Sequence, residues 1–245
     1  ILVQSKYIFQ SFAGLFLLII GLLGKANVGK STFFNAATDS SVQIANFPFT
    51  TINPNIGVAF VRVQCVCTEL GVADNPVNSQ CISGIRYIPV KLIDVAGLVP
   101  GAHLGRGLGN KFLDDARQAN VLIHVIDISG STDEEGKSVR SGEGDPFLDI
   151  QFVEEEFDLW IRSIILRDWQ KLVRESENLK QKVETVISNR LSGLSISEQL
   201  IRNSMDQVGL TKKPSEWTEN DLLSLSKQIR IKSKPIVIAA NKADL

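Results

Sequence analysis

Apolar positions along the chain follow two rhythms. One is a set of short unbroken runs: Phe12–Leu23 (FAGLFLLIIGLL), Ile88–Val95 (IPVKLIDV), Val121–Ile128 (VLIHVIDI) and Pro235–Ala240 (PIVIAA). Strands buried on both faces of a parallel sheet read in this way. The other rhythm occupies residues 146–228. There Val153, Phe157, Trp160, Ile161, Ile164 and Ile165 recur at i, i+4, i+7 and i+8 spacing, one face of a helix. Leu172, Leu179, Val183 and Val186 continue as a sparser stripe among charged neighbours, which predicts a helical hairpin or short coiled coil. Ser195 with Glu198 three residues on reads as a capping box. Lys212-Lys213-Pro214 marks a break. The pattern predicts an α/β domain, a doubly wound and mainly parallel sheet, with an inserted α-helical subdomain at 146–230.

The run Phe12–Leu23 is shorter than the roughly 20 apolar residues a spanning helix needs. It leads straight into Gly24, with no room for a signal cleavage site, so a strand is expected and no membrane partner. Residues 1–14 have no assigned role. With 44% hydrophobic and 22% charged residues, the chain has material for a core, which excludes disorder. A net charge of −1 gives no global field for nucleic acid, and no DNA binding is expected. Three cysteines are too few for a disulfide framework, so a reduced, cytoplasmic compartment is expected. Cys65, Cys67 and Cys81 flank a loop between two strands. Zinc wants four ligands and no histidine is near in sequence, so reduced small side chains in a β-hairpin insertion are expected.

Chemistry enters at the ends of the runs. Gly24-Lys25-Ala26-Asn27-Val28-Gly29-Lys30-Ser31 fits the G-x-x-x-x-G-K-[ST] pattern of a P-loop NTPase and is followed by Thr32. Its glycines let backbone N–H groups curl around a phosphate, and Lys30 reaches the β- and γ-phosphates. The Ser31 hydroxyl ligates Mg²⁺, and a helix from about Ser31 to Ala37 offers its N-terminus to the anion. Asp94-Val95-Ala96-Gly97 fits D-x-x-G: Asp94 holds the metal and the Gly97 N–H faces the γ-phosphate. Asn46-Phe47-Pro48-Phe49-Thr50-Thr51 offers a hydroxyl to the metal from a switch loop, with Thr51 favoured over Thr50. Asn241-Lys242-Ala243-Asp244 fits N-K-x-D. Asp244 accepts from both N–H groups of guanine's pyrimidine edge, a donor pair adenine lacks. Lys242 stacks along the base, and Asn241 ties that loop to the phosphate loop. GTP or GDP is the expected ligand.

The segments Phe47–Thr51, Asp94–His103 and Gly105–Leu113 resemble the Obg-like translation-factor GTPases, in particular the archaeal-type YchF branch. Asp133-Glu134-Glu135-Gly136 and the helical segment fit the same branch. The resemblance covers about residues 15–245. It implies a cytoplasmic GTPase linked to the ribosome, with Thr51 as the metal-sensing residue. Relatives that prefer ATP alter N-K-x-D; here it is intact, so GTP is expected. The resemblance implies a G domain at 15–140 plus 235–245 that continues past Leu245, followed by a small TGS domain.

Where many GTPases place a glutamine after D-x-x-G, this chain has Leu98, which the resemblance also implies. Slow intrinsic hydrolysis is expected, raised by a partner or a monovalent cation. Asn27 stands where K⁺-using relatives have the ion-binding asparagine. His103 is the one imidazole near this switch and reads as an exposed loop residue more readily than a catalytic one. His124 reads as a satisfied core residue. Two other functions compete: an ATPase of the same family, and a nucleotide-gated ribosome- or RNA-binding module.

Overall fold

A computed structural model describes residues 18–38, 55–76, 79–95, 97, 101–104 and 115–245. Its centre is a six-stranded sheet in the order β2-β4-β1-β5-β6, with β3 paired to β4. The strands are β1 (Ile19–Leu23), β2 (Ile56–Gln64), β3 (Gln80–Ile82), β4 (Ile85–Asp94), β5 (Val121–Asp127) and β6 (Ile236–Asn241). β4, β1, β5 and β6 run parallel; β2 and β3 join β4 antiparallel. The sheet is therefore mainly parallel, as the unbroken apolar runs require. The described part of the Phe12–Leu23 run forms β1 at its centre; the earlier residues lie outside the described ones.

Alternation along the strands feeds two cores. Leu22 and Leu92 pack with Phe34 of α1 (Lys30–Thr38) on one face. Leu23, Ile93 and Leu122 pack with Val153 and Phe157 of a long helix on the other. Helices on both faces make the fold doubly wound.

A single helical turn, α2 (Cys67–Leu70), follows β2. Five helices lie between β5 and β6: α3 (Pro146–Leu166), α4 (Trp169–Asn178), α5 (Val183–Arg190), α6 (Glu198–Val208) and α7 (Glu219–Ser233). Their own core gathers Ile161, Ile165, Val173, Ile187, Ile201 and Ile229, with Trp169 stacked on Trp217 at 5.6 Å. Two expectations change here. The second stripe forms two short successive helices rather than a coiled coil: Leu172 of α4 and Val183 of α5 pack on this core and Val186 is buried, while Leu179 is exposed. The cap of α6 is Ser197, which accepts from the Leu200 N–H. Ser195 is spent on the left-handed residue that closes the preceding turn. A complete capping box exists instead at Thr218 and Asp221.

His124 sits in β5 between Leu23 of β1 and Ile238 of β6, and is 1% exposed. It is a core residue, but not a satisfied one: Nδ1 has no hydrogen-bond partner among the described residues. Burial, with a smaller push from the Lys30 ammonium, lowers its pKa from 6.5 to about 4. The unfolded chain thus takes up the proton first. Stability present above pH 6.5 drains away as the pH falls towards 4, by on the order of 3 kcal/mol for this group. Denaturant midpoints measured from pH 7.5 down to 4.5 are expected to fall more steeply for the unmodified chain than for H124L; parallel curves would refute this.

Candidate nucleotide site

Parallel β4, β1, β5 and β6 end on one edge, and that edge collects the motifs. Gly24 leaves β1 at φ +145°, where an added Cβ would lie 2.4 Å from the Val125 carbonyl oxygen. Only glycine fits there. Gly29, at φ +95°, lies under the side chain of Asn241, and a Cβ would sit 2.2 Å from its Nδ2. Asn27 takes a left-handed φ of 61°, which asparagine tolerates. Its Nδ2 donates to the Gly136 carbonyl at 2.8 Å. Val28 is buried beneath the loop, and Thr32 is exposed on α1. The helix starts at Lys30, so its unpaired N–H groups open into the loop.

Lys30 Nζ donates to the Lys25 carbonyl at 2.7 Å. Burial lowers its pKa, and Asp94 opposes that shift. Ser31 Oγ donates to Asp94 Oδ2 at 3.1 Å. Asp94 Oδ1 is buried with no partner among the described residues. A hydroxyl and a carboxylate with one unused oxygen form a hard donor set that fits Mg²⁺. A Cβ at Gly97 would lie 3.6 Å from both Lys30 Nζ and the Ala26 nitrogen, so the glycine borders the phosphate loop. Thr50, Thr51 and Leu98 lie outside the described residues.

The base motif follows β6. Asn241 Nδ2 donates to the Val28 carbonyl at 2.8 Å, tying the two loops together. Lys242 has φ 56°, and its ammonium donates to Asp127 Oδ2 at 2.8 Å. Burial alone would raise the pKa of Asp127, but donors from Lys242, Ser129, Ser131 and Thr132 outweigh it and hold the carboxyl below its usual range. The Lys242 ammonium is thereby fixed, and its alkyl stem is the part left for a base. Asp244 is exposed in the turn that follows.

Three residues in this region escaped the motif reading. Lys25, a free position of the P-loop pattern, is 4% exposed. Its ammonium donates to the Thr132 carbonyl at 3.0 Å and pairs with Asp149 of α3 at 2.8 Å. Burial raises the pKa of Asp149 against the pull of Lys25. Glu156, also on α3, accepts from the Gly101 and His103 N–H groups at 2.6 and 2.9 Å and contacts His103 Nδ1 at 2.7 Å. His103 is therefore held by a buried carboxylate rather than exposed. The available signal was periodicity: Asp149 falls four residues before Val153 and eight before Phe157, an acid inside an apolar stripe.

The family model of 50S ribosome-binding GTPases matches residues 19–152. The chain belongs to this family of GTPases. Its relatives include proteins named ribosome-binding ATPase YchF and Obg-like ATPase. It is 53% identical over 226 residues to an uncharacterized GTP-binding protein of Methanocaldococcus jannaschii, a match covering 92% of this chain and 56% of the relative. It is 33% identical to a ribosome-binding ATPase YchF of Bacillus subtilis, with 93% and 57% covered. A solved GTP-binding protein from Pyrococcus horikoshii superposes with a TM-score of 0.76 at 39% identity, over 93% of this chain and 57% of that one. The chain thus spans about half the length of the curated relatives it matches.

Removing one member of a buried pair strands the other charge, at a cost of about 3–5 kcal/mol. D149A is expected to lower unfolding stability by that amount in equilibrium denaturation. K25M/D149L is expected to recover most of it. Equal stability of D149A and the unmodified chain would show that the pair does not hold the loop.

Proposed function

We propose that the chain binds GTP through the 24–32 loop, Asp94, Gly97 and the 241–244 turn, and hydrolyses it slowly to GDP. The observation that carries this reading is the Asn241–Val28 hydrogen bond. It ties the base turn to the phosphate loop, and Asp244 stands three residues further along that turn. Asp244 accepts from the two guanine N–H groups; an unpaired carboxylate there rejects adenine. Lys30 and the Gly97 N–H contact the γ-phosphate. Ser31 and Asp94, joined by Thr51 of the switch loop, would hold Mg²⁺, which when bound neutralises charge on the β- and γ-phosphate oxygens. Leu98 has no group to orient the attacking water, which is why the intrinsic rate is low. Asn27 engages Gly136 through its amide nitrogen, so the side-chain oxygen is the atom that would face K⁺.

In this reading residues 15–140 and 235–245 form the G domain, and the helical lobe at 146–230 docks a partner. The names of the relatives point to the ribosome as that partner, and the chain is read as a cytoplasmic switch in translation. No helix among the described residues is long and apolar enough to cross a membrane. A nucleotide-gated ribosome-binding module with incidental hydrolysis is separated from this reading by co-sedimentation with ribosomes under GDP against a non-hydrolysable GTP analogue.

One observation favours an ATPase instead: relatives at 30–33% identity are named ATPases. Competition of GTP and ATP for a fluorescent nucleotide decides between them. GTP is expected to win, and D244A to weaken GTP by about 2–3 kcal/mol, roughly 30- to 150-fold, with little effect on ATP. ATP displacing the probe at lower concentration would overturn the assignment.

A further inference from the structure

At the far end of β4 from Asp94 lies a second polar cluster. Cys65 follows β2, Cys67 opens α2, Asp74 lies in the loop after it and Cys81 is in β3. One ligand atom from each lies within 4.8 Å of all the others. Counting cysteines alone stops at three; the chain fold adds a carboxylate as the fourth. We propose that Cys65, Cys67, Cys81 and Asp74 form a structural zinc site at this tip.

Three observations support it. First, a tetrahedral zinc with Zn–S bonds of about 2.3 Å sets its sulfurs about 3.8 Å apart. Cys67 Sγ and Cys81 Sγ are 3.7 Å apart. Second, Cys65 Sγ donates to Asp74 Oδ2 at 2.8 Å. A cation bound here takes the place of that shared proton. Binding releases the three thiol protons to solvent and leaves three thiolates and a carboxylate around the ion. Arg86 donates to both Asp74 and Cys65 Sγ, so its guanidinium offsets part of the remaining negative charge from just outside the ligand set.

Third, among the described residues the large apolar side chains of the tip face solvent. Val66, Leu70, Val72 and Ile82 are 48–68% exposed. The turn is well formed nonetheless. Thr68 and Glu69 N–H groups donate back to the Cys65 and Val66 carbonyls, and Gly71 closes α2 at φ 62°. A unit this small with an exposed apolar set needs a staple, and thiolate ligands select zinc among the common divalent ions. The tip stands about 30 Å along β4 from Asp94, so the site is separate from the nucleotide.

The test uses the full chain, purified reduced. Metal analysis after zinc loading and desalting is expected to find about one zinc per chain. Cobalt(II) titration is expected to give thiolate-to-cobalt charge transfer with tetrahedral d–d bands. The double variant C67S/C81S is expected to abolish both signals with circular dichroism of the sheet and helices unchanged. D74A is expected to raise the zinc dissociation constant on the order of tenfold or more, and D74C to lower it. Should a variant fail to fold, the cobalt spectrum of the unmodified chain still decides. Overturning results are no stoichiometric zinc in the reduced chain, equal zinc in C67S/C81S, or a Cys67–Cys81 disulfide forming in air from a chain that takes up no metal.

Discussion

A phosphate loop is backbone that cannot hold its own shape. Here Gly24, Asn27 and Gly29 all sit at positive φ, so the chain between β1 and α1 turns its N–H groups inward and gives up regular hydrogen bonding. Four neighbours supply what the loop lacks. The Val125 carbonyl walls off Gly24, Asn241 reaches the Val28 carbonyl, Asn27 reaches Gly136, and Lys25 is drawn down onto Asp149. These contacts come from β5, β6, the turn after β5 and α3. The strand order places each of them beside the end of β1. β6 is paired with β5 up to Asp127–Asn241, which brings the base turn beside the phosphate loop.

α3 is the element most of these demands share. Its first half packs Val153 and Phe157 on the sheet, and its second half packs Ile161 and Ile165 in the helical core. Its acids face three ways. Asp149 meets the phosphate loop, Glu156 meets the 101–103 segment just after D-x-x-G, and Asp158 pairs with Arg230 of α7 at 2.6 Å. Burial raises the pKa of Asp158 against the pull of Arg230, so that carboxylate depends on its partner. Each of these acids is buried, and a buried charge without its partner is costly. The helix is thus a rigid strut between the nucleotide loops and the helical lobe. A shift at the 101–103 segment must either move α3 or break the Glu156 bonds.

Much of this was legible in local pattern. Unbroken apolar runs identified strands because parallel strands are covered on both faces, and motif spacing worked because a phosphate loop must turn within a few residues. What stayed hidden depended on distant partners. Lys25 occupies a position the motif leaves free, and only the fold brings Asp149 to it. Ser195 and Ser197 are equally good caps in isolation; the turn ending at Leu194 takes the first and leaves the second. The stripe through Leu172 and Leu179 held at Leu172, which packs on the helical core, and failed at Leu179, which lies past the end of α4 and is exposed. Asp74 carries no metal signal in sequence, since a loop aspartate is common and its nearness to three thiols arises only when β2 and β3 both pair with β4 and the loop after α2 folds back between them. Thr51 and Leu98 were legible as motif positions only.

The long insertion raises a last physical question: how a base motif that returns about a hundred residues after β5 finds its place. Closing a longer loop costs little extra entropy, about 0.6 kcal/mol per doubling. The larger need is a fixed re-entry point. Lys234, 6% exposed where α7 gives way to β6, supplies one. Its ammonium donates to the Arg117 and Ala119 carbonyls at 2.8 and 2.5 Å, just before β5 begins. Burial lowers its pKa to about 8, yet two carbonyl acceptors suit the charged form. The strand that leaves the helical lobe is therefore stapled to the entrance of the strand it must pair with. Register follows from there, Leu122 against Ile236 through Asp127 against Asn241. The position of Asn241 over the phosphate loop is thus set by the sheet itself.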